Sequence, residues 1–415
     1  MQIKSSYMKV KKLMLILSIL TSCVNKNYTK IENLEKITLP IEVGNAKIIG
    51  LGEATHGTIE FAITKSSIIK DLIKNHEFNL LAIEAHNSDV KEINRWLNGG
   101  EGDIEILIKG LKYWAFNNYP FLELLNWIKE HNSKSQNPVT IYGIDMQFVQ
   151  KTIHEPFEYV KNYLPSDSNT FYQLQELDTL ALDQLGKKFS NTSLDEFQRI
   201  KKSINLALQI VDEHLREDKI SDSLAYWHQF DLNNSMNAIN MYENDVYYLE
   251  NSNYINIRDF SMANNLGSII RKSPESKIII WSHNFQIKNK GDVMGGHLKE
   301  QFGEKYINFC LTTRKGYVTA YDLNDSKENL SNFSLNMNNE NTLEQEITKS
   351  ELPKQFLMDT RKLIDLLKLK DSIFMLDIGA VYDQEVKENN LVITFLNKEY
   401  DYIIYLDSTK GYLEQ

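Results

Sequence analysis

Leu51-Gly52-Glu53-Ala54-Thr55-His56-Gly57-Thr58 lies between a short apolar run and an amphipathic one. Upstream, Ala46-Lys47-Ile48-Ile49-Gly50-Leu51 is β-rich and punctuated by glycine. Downstream, Ile59, Phe61, Ala62, Ile63, Ile68, Ile69, Leu72 and Ile73 recur at helical spacing. The stretch reads as strand, tight loop, helix. That places Glu53 and His56 at the C-terminal end of a strand, where open α/β sheets put their ligand crevices. His56 also precedes a helix N-terminus, whose partial positive charge disfavours imidazolium and keeps the ring available as a base. An isolated E-x-x-H reads equally as a glycine-rich loop with a solvated histidine.

Other apolar runs end the same way. Asn79-Leu80-Leu81-Ala82-Ile83 terminates at Glu84-Ala85-His86, Val139-Thr140-Ile141-Tyr142-Gly143-Ile144 at Asp145, and Lys277-Ile278-Ile279-Ile280-Trp281-Ser282 at His283-Asn284. Four runs therefore deliver ionisable groups to one edge of a parallel sheet. Helical patterns near Val90 to Leu97 and Phe121 to His131 separate the early runs, a β-α-β progression.

Between Thr152 and Asn253 the strand signal stops. Leu174, Leu177, Leu180 and Leu182, then Phe197, Ile200, Ile204, Leu208 and Val211, then Leu224, Trp227, Phe230 and Leu232 recur at largely helical steps. The sheet pattern then resumes, so the expected fold is α/β: a mostly parallel central sheet with flanking helices and a large helical insertion, about 152–253, forming a lid or cleft wall. Tyr226, Trp227, Tyr242, Tyr247 and Tyr248 in the insertion line an apolar cleft or fill its core. A helix follows from Arg258 to Arg271. Tyr306 to Leu311 and Gly316 to Tyr321 read as two strands, Asn324 to Asn341 as a long surface loop, and Pro353 to Leu367 as a helix. No internal repeat is evident.

The N-terminus is basic and then apolar. Lys9, Lys11 and Lys12 precede Leu13 to Leu20, a core too short to span a membrane, and then Thr21-Ser22-Cys23. This is a secretory signal over 1–22. Leu20-Thr21-Ser22-Cys23 resembles a bacterial lipobox, which implies a lipidated Cys23, a tether over 23–34, one domain over 35–415, and an exported protein anchored to the cell envelope by its acyl chains. Removing 1–22 takes away four lysines and no acid, so the formal charge moves from −10 to −14. An acidic chain argues against nucleic acid or anionic surfaces as partners. Cys310 is the only other cysteine, inside an apolar run, and no Cys/His zinc pattern occurs.

No G-x-S-x-G elbow sits at a strand end, and Cys310 is not at a strand tip, so acyl transfer through a covalent nucleophile is not indicated. Hydrolysis would then use activated water, with His56 as general base. Glu53 and Glu84 are the carboxylates placed to fix its tautomer and stabilise imidazolium. His283 is placed to donate to an oxyanion or protonate a leaving alcohol. His86 and Asp145 line the site or serve as structural hydrogen-bonding groups, and His297, after Gly295-Gly296, reaches the cleft from a loop. His76, His131, His154, His214 and His228 read as ordinary helix or loop histidines.

Gly52-Glu53-Ala54-Thr55-His56-Gly57, Ile83-Glu84, Tyr142-Gly143-Ile144-Asp145-Met146-Gln147, Arg258-Asp259 with Met262-Ala263, and Trp281-Ser282-His283-Asn284 together resemble the erythromycin esterase family in order and spacing, over roughly residues 35 to 405. The resemblance implies a hydrolase acting on a small-molecule ester such as a macrolide lactone, and with it antibiotic resistance. It implies a catalytic cluster of Glu53, His56, Glu84 and His283 with no metal or cofactor. Two positions depart from the family: Gln286 stands where a second histidine is common, and Lys65 where an arginine is. Both are expected to bind substrate. Gln keeps a hydrogen-bond donor without a titratable proton, and Lys keeps the charge without the two-pronged fork. Arg258 is expected to cap a helix or form a supporting salt bridge. Two alternatives are a divalent metal held by His56, His283 and Glu84, and a non-catalytic surface lipoprotein binding an apolar ligand in the same crevice.

Overall fold

Strands covered on both faces read as unbroken apolar runs, and that is how the sheet of this protein is built. The computed structural model describes residues 28–147, 150–163, 168–169, 171–172, 175, 192–216, 223–247, 253–324, 329–337 and 341–414. The expected signal segment, Cys23, Leu174, Leu177, Leu180, Leu182 and Tyr248 lie outside them. The strands are β1 (Tyr28–Lys30), β2 (Ile48–Leu51), β3 (Phe78–Ile83), β4 (Thr140–Gly143), β5 (Lys277–Trp281), β6 (Tyr306–Asp322), β7 (Leu330–Asn336), β8 (Gln355–Asp359), β9 (Ile373–Leu376), β10 (Val381–Tyr382), β11 (Leu391–Thr394) and β12 (Tyr402–Thr409).

One sheet runs in the order β1-β8-β12-β6-β2-β5-β3-β4, with β7 and β10 also on β6; β9 and β11 form a separate antiparallel pair. From β4 to β12 every neighbour is parallel, and β8 and β1 extend that edge antiparallel. The expected α/β class with a mostly parallel sheet is therefore what the chain adopts. Alternation along each strand feeds two cores: Ile49, Leu51, Leu81, Ile83, Ile279 and Trp281 face one, and Ile48, Leu80, Ala82, Ile278 and Ile280 the other. The helix Ile59–His76 carries the chain from β2 to β3, leaving a gap that β5 fills before the chain crosses to β6 on the far side of β2. Strand order reverses there, so the C-terminal ends of β2, β5 and β3 open onto a crevice at a topological switch point.

Four readings of the sequence change in the fold. The two runs at 306 and 316 are one strand, β6, which continues through Gly316 at φ +116, where a Cβ would lie 1.9 Å from the Thr409 carbonyl oxygen. Its hairpin partner is β7, inside the expected surface loop: Phe333 and Leu335 turn inward between serines and asparagines while Leu330 is only half-buried, an alternation hidden by the polar composition. The expected helix over 353–367 begins as β8, and only at Thr360 does a helix start, capped by the Asp359 side chain on Arg361 N–H. Part of the expected tether, Tyr28–Lys30, is β1, paired with β8 at the sheet edge.

The expected insertion is helical where described, over Gln150–Lys161, Leu194–Arg216 and Ser223–Tyr247, and Asn253–Lys272 follows it. These helices close over a third core that includes Phe157, Phe197, Ile204, Val211 and Leu232. The aromatics whose side chains are described serve packing. Tyr226 OH donates to the Ser268 carbonyl at 2.8 Å, Trp227 packs on Tyr142 with ring centroids 5.2 Å apart, and Tyr242 OH donates to the Gln147 carbonyl.

The loop after β2 is fixed by backbone contact. Gly57 accepts from Thr319 N–H of β6 at 3.0 Å, His56 N–H donates to the Gly379 carbonyl at 3.0 Å, and a Cβ on Gly57 would lie 1.8 Å from the Thr319 carbonyl oxygen. Gly57→Ala is therefore expected to destabilise the fold by at least about 1–3 kcal/mol, the usual range for overpacking, and to displace His56. Urea denaturation with a midpoint equal to the parent's would refute the close approach.

Candidate active site

Each strand end contributes a side chain, and buried counter-charges set how each one points. His56 Nδ1 lies 2.8 Å from Glu53 Oε1, and Lys65 Nζ lies 2.7 Å from Glu53 Oε2. Lys65 projects from the helix Ile59–His76, is fully buried, donates to the Ser282 carbonyl at 2.9 Å and lies 5.0 Å from the Trp281 ring centroid. One cation thus ties the loop after β2 to the end of β5. The His56 side chain keeps 18 % exposure above this buried base, and its ring centroid is 5.2 Å from that of His283.

The charges decide the tautomer. Burial pushes the Glu53 carboxyl up, but Lys65 and the His56 hydrogen bond overcome it and hold the group at about 2. A carboxylate accepts only, so Nδ1 of His56 donates, and in the neutral ring Nε2 carries the lone pair. Burial also works against protonated His56, yet the Glu53 bond and the charges of Glu53 and Glu84 lift its pKa above the ordinary histidine value. Burial lowers the Lys65 pKa, against the pull of Glu53.

Glu84 follows β3. Its Oε1 accepts from Ser282 Oγ and, at 3.3 Å, from His283 N–H, and its Oε2 lies 3.9 Å from Arg258 Nη2. It therefore acts on His56 through its charge and carries no hydrogen bond to that ring. His283 Nδ1 accepts from Phe285 N–H at 3.3 Å, which puts the proton of the neutral ring on Nε2. That nitrogen is buried, 3.2 Å from Asp377 Oδ1, without hydrogen-bond alignment. Burial lowers the His283 pKa despite Asp377, so the ring is a neutral donor.

Asp145, after β4, is fully buried and saturated. Arg258 grips it from the helix Asn253–Lys272 through Nε to Oδ1 at 3.2 Å and Nη2 to Oδ2 at 2.8 Å, and Tyr113 OH donates to Oδ2 at 2.8 Å. Burial raises the Asp145 carboxyl, and Arg258 pulls it below the ordinary value.

The expected residues separate on this geometry. Glu53, His56, Glu84 and His283 come together. Lys65, expected on the substrate, is a correction: its ammonium lies under Glu53 with no exposure, where it positions the carboxylate. Asp145 and Arg258 form a supporting pair. His86 is buried before the helix Asn87–Leu97, and burial lowers its pKa to about 4, which keeps it neutral. His297 stacks edge-on to Phe260, with centroids 5.3 Å apart, on a helix where a loop was expected. Gln286 is buried in the turn Asn284–Ile287, and its Oε1 has no hydrogen-bond partner among the described residues. His56, His283 and Glu84 do not converge as ligands; among the described residues no three His, Cys, Asp or Glu side chains form a metal-holding group.

Asp377, Tyr113 and Ser282 were missed. Asp377 had a visible signal, since Ile373-Phe374-Met375-Leu376 ends in an acid as the other runs do. The backbone after it, Ile378 and Gly379, donates to the Ala54 carbonyl. Ser282 is visible in the run that ends at His283, but its bond to Glu84 is not; Tyr113 reaches the site by tertiary contact and carries no local signal.

A family model for erythromycin esterase matches residues 73–409. Erythromycin esterase type II of Escherichia coli is 23 % identical, over 84 % of this chain and 89 % of that protein. The crystal structure of a Bacillus cereus protein superposes with a TM-score of 0.80 at 19 % identity, covering 94 % of this chain and 97 % of its own. A mutant of the erythromycin esterase EreC in its open conformation superposes with a TM-score of 0.69 at 18 % identity, covering 92 % and 98 %.

Replacing Lys65 leaves the Glu53 charge buried without its cation and with only the His56 hydrogen bond, so Lys65→Met is expected to cost about 3–5 kcal/mol of stability. The sign with pH follows from Glu53. Its depressed folded pKa contributes stability that is present above the ordinary 4.5 and lost as pH falls toward about 2. The loss in Lys65→Met should therefore be larger at pH 7.5 than at pH 4, and Glu53→Gln in the same chain should recover part of it. Urea midpoints that fall equally at both pH values would contradict the ion pair.

Proposed function

The chain belongs to the erythromycin esterase family, and from that membership and the geometry at the strand ends we propose an ester hydrolase that works by His56-activated water. The family supports an esterase or hydrolase acting on a small molecule; mechanism and substrate are our reading. The observation that carries it is the Lys65–Glu53–His56 relay, which fixes Nδ1 as donor and leaves Nε2 as the basic atom of a partly exposed ring.

In this mechanism Nε2 of His56 takes a proton from water as the water oxygen attacks the ester carbonyl carbon. Glu53 stabilises the imidazolium that forms, and Glu84 adds negative charge without sharing the proton. The buried Nε2–H of His283 donates to the developing oxyanion. As the tetrahedral species collapses, the carbon–oxygen bond to the alcohol breaks and the imidazolium returns its proton to that oxygen. One water is added to the ester, and no serine or cysteine is acylated. The substrate we infer is a macrolide lactone or a comparably large apolar ester. We also infer that Cys23 is lipidated and holds the domain to the cell envelope, on the strength of the basic and apolar run that precedes it.

Two measurements test the chemistry. Mass spectrometry of erythromycin and a panel of simpler esters should show water added by the parent and a rate about 10² to 10⁴-fold lower with His56→Ala, the range for losing a general base. Equal turnover by the variant removes His56 from the reaction, and no product from any ester in the parent would favour a binding protein.

The pH profile is a separate test. The base must be neutral, so kcat/KM should fall as pH drops through the raised His56 pKa, with its midpoint above the ordinary 6.5. Glu53→Gln removes the charge that raises it, so the midpoint should move to lower pH while the maximal rate drops. A midpoint that stays in place would detach Glu53 from the base.

A further inference from the structure

We propose that Asp377 recognises the acyl part of the ester and selects substrates that carry a hydrogen-bond donor, a hydroxyl or a protonated amine, on the first or second carbon beyond the scissile carbonyl. The inference rests on the hydrolase reading above and adds to it a substrate class.

Three groups border one space beside the base. The first is His283 Nε2, buried and with no hydrogen-bond partner among the described residues. The Ala54 carbonyl bears on this ring, but it already accepts Ile378 N–H at 2.8 Å and Gly379 N–H at 3.3 Å, one donor for each lone pair. The second is the Asp377 carboxylate, whose Oδ1 stands 3.2 Å from that nitrogen without hydrogen-bond alignment. Among the described residues it has no lysine or arginine partner, and its side chain keeps 18 % exposure against 6 % for that of His283. The third is Gly379. At φ +59 its open side looks toward His283: a Cβ there would lie 4.0 Å from Nε2 and, outside its chain neighbours, meet no other atom that close.

The backbone holds this space against the attacking group. Gly379 accepts His56 N–H at 3.0 Å and pairs with Thr55 in a parallel bridge, so the open side of the glycine adjoins the loop that carries the base. In the mechanism above, His283 Nε2–H goes to the carbonyl oxygen, which becomes anionic as water attacks. Asp377 then stands one hydrogen-bond length from the donor to that oxyanion. Two negative charges so close, in a site poor in water, oppose the step that brings the second one into being.

A donor on the substrate removes the conflict. It gives the carboxylate the hydrogen bond that the protein does not, and it offsets the charge while the oxyanion forms. Its place follows from the separation of Nε2 and Oδ1: with the carbonyl oxygen on one and the donor on the other, the two substrate atoms are near neighbours, as they are when the donor sits on one of the first two acyl carbons. The competing occupant is water. Water would satisfy Asp377 whatever the substrate and would leave the enzyme with no preference for a donor.

The test compares kcat/KM of the full chain on four esters: benzyl butyrate, its 2-hydroxy and 3-hydroxy analogues, and its 3-amino analogue, which is protonated at neutral pH. We expect the parent to favour at least one hydroxy ester, and the amino ester, over benzyl butyrate by roughly 10- to 100-fold, the worth of one hydrogen bond to a charged group. In Asp377→Ala the favoured esters should lose that factor while benzyl butyrate speeds up, because the charge that opposed its oxyanion is gone. Asp377→Asn changes shape least; it keeps an acceptor oxygen and should retain part of the hydroxyl preference while losing the preference for the amine. Equal kcat/KM for all four esters in the parent means that water fills the space and overturns the proposal. A preference that survives in Asp377→Ala, or a loss of the same factor on every ester, overturns it too, and each of these leaves the hydrolase reading standing. A parent that cleaves none of the four, nor any ester of the wider panel, overturns that reading and this proposal with it.

Discussion

The ion pair between Lys65 and Glu53 is the constraint from which the arrangement of the site follows. Both charges are out of water, and an unpaired charge there would be far more expensive than any single packing contact. The lysine needs a carboxylate and a carbonyl in reach at once, and it finds them on two strands, at Glu53 after β2 and Ser282 after β5. That requirement fixes how the helix Ile59–His76 lies on the sheet and how far apart the two strand ends stand. It also settles the acid–base chemistry: with one oxygen of Glu53 on Lys65 and the other on His56, the carboxylate stays ionised and the imidazole takes one tautomer.

The second buried pair couples the insertion to the same carboxylates. Arg258 comes from the helix Asn253–Lys272, directly after the insertion, and its planar fork spans both oxygens of Asp145 at the end of β4. Its Nη2 also stands 3.9 Å from Glu84. Tyr113 closes the remaining side of Asp145. A movement of that helix relative to the sheet would therefore change the field at Glu84 and, through it, at His56. Lysine at 258 would keep the charge and lose the geometry.

Legibility followed the physics of each signal. Runs buried on both faces and ending in ionisable groups are plain, which is why Glu53, Glu84, Asp145 and His283 are legible together at one edge of a parallel sheet, although the order of its strands is not. The long β6 reads as two strands because Arg314, Lys315 and Gly316 interrupt its apolar pattern, and β7 is hidden because Ser331, Asn332, Ser334 and Asn336 outweigh Phe333 and Leu335, the two apolar residues that alternate with them. Tyr28–Lys30 is too short to carry a period. Asp377 closes a run in the same manner as the others, but on a two-stranded ribbon whose place beside His283 depends on contacts distant in sequence. The tie from Lys65 to Ser282, 217 positions apart, has no local trace.

The two departures from the family pattern stand in different surroundings, one with every demand met and one without. Lys65 has every demand met within the protein: a carboxylate, a carbonyl and an aromatic face surround it, and it has no exposed surface. Its identity adjusts how Glu53 is held and therefore how basic His56 is. Gln286 is the opposite case. It sits one turn beyond His283, buried, with an amide oxygen that accepts nothing from the described residues. Asp259, next to Arg258 in the chain, is likewise buried with both oxygens unpartnered among the described residues, and burial raises its carboxyl to about 7 despite Arg258. Buried polar atoms without partners are uncommon and concentrate where a bound group completes the bonding. The activating relay is thus complete in itself, while Gln286 keeps an amide oxygen without a partner among the described residues. On the mechanism proposed above, position 286 can vary without disturbing the His56 base that activates the water.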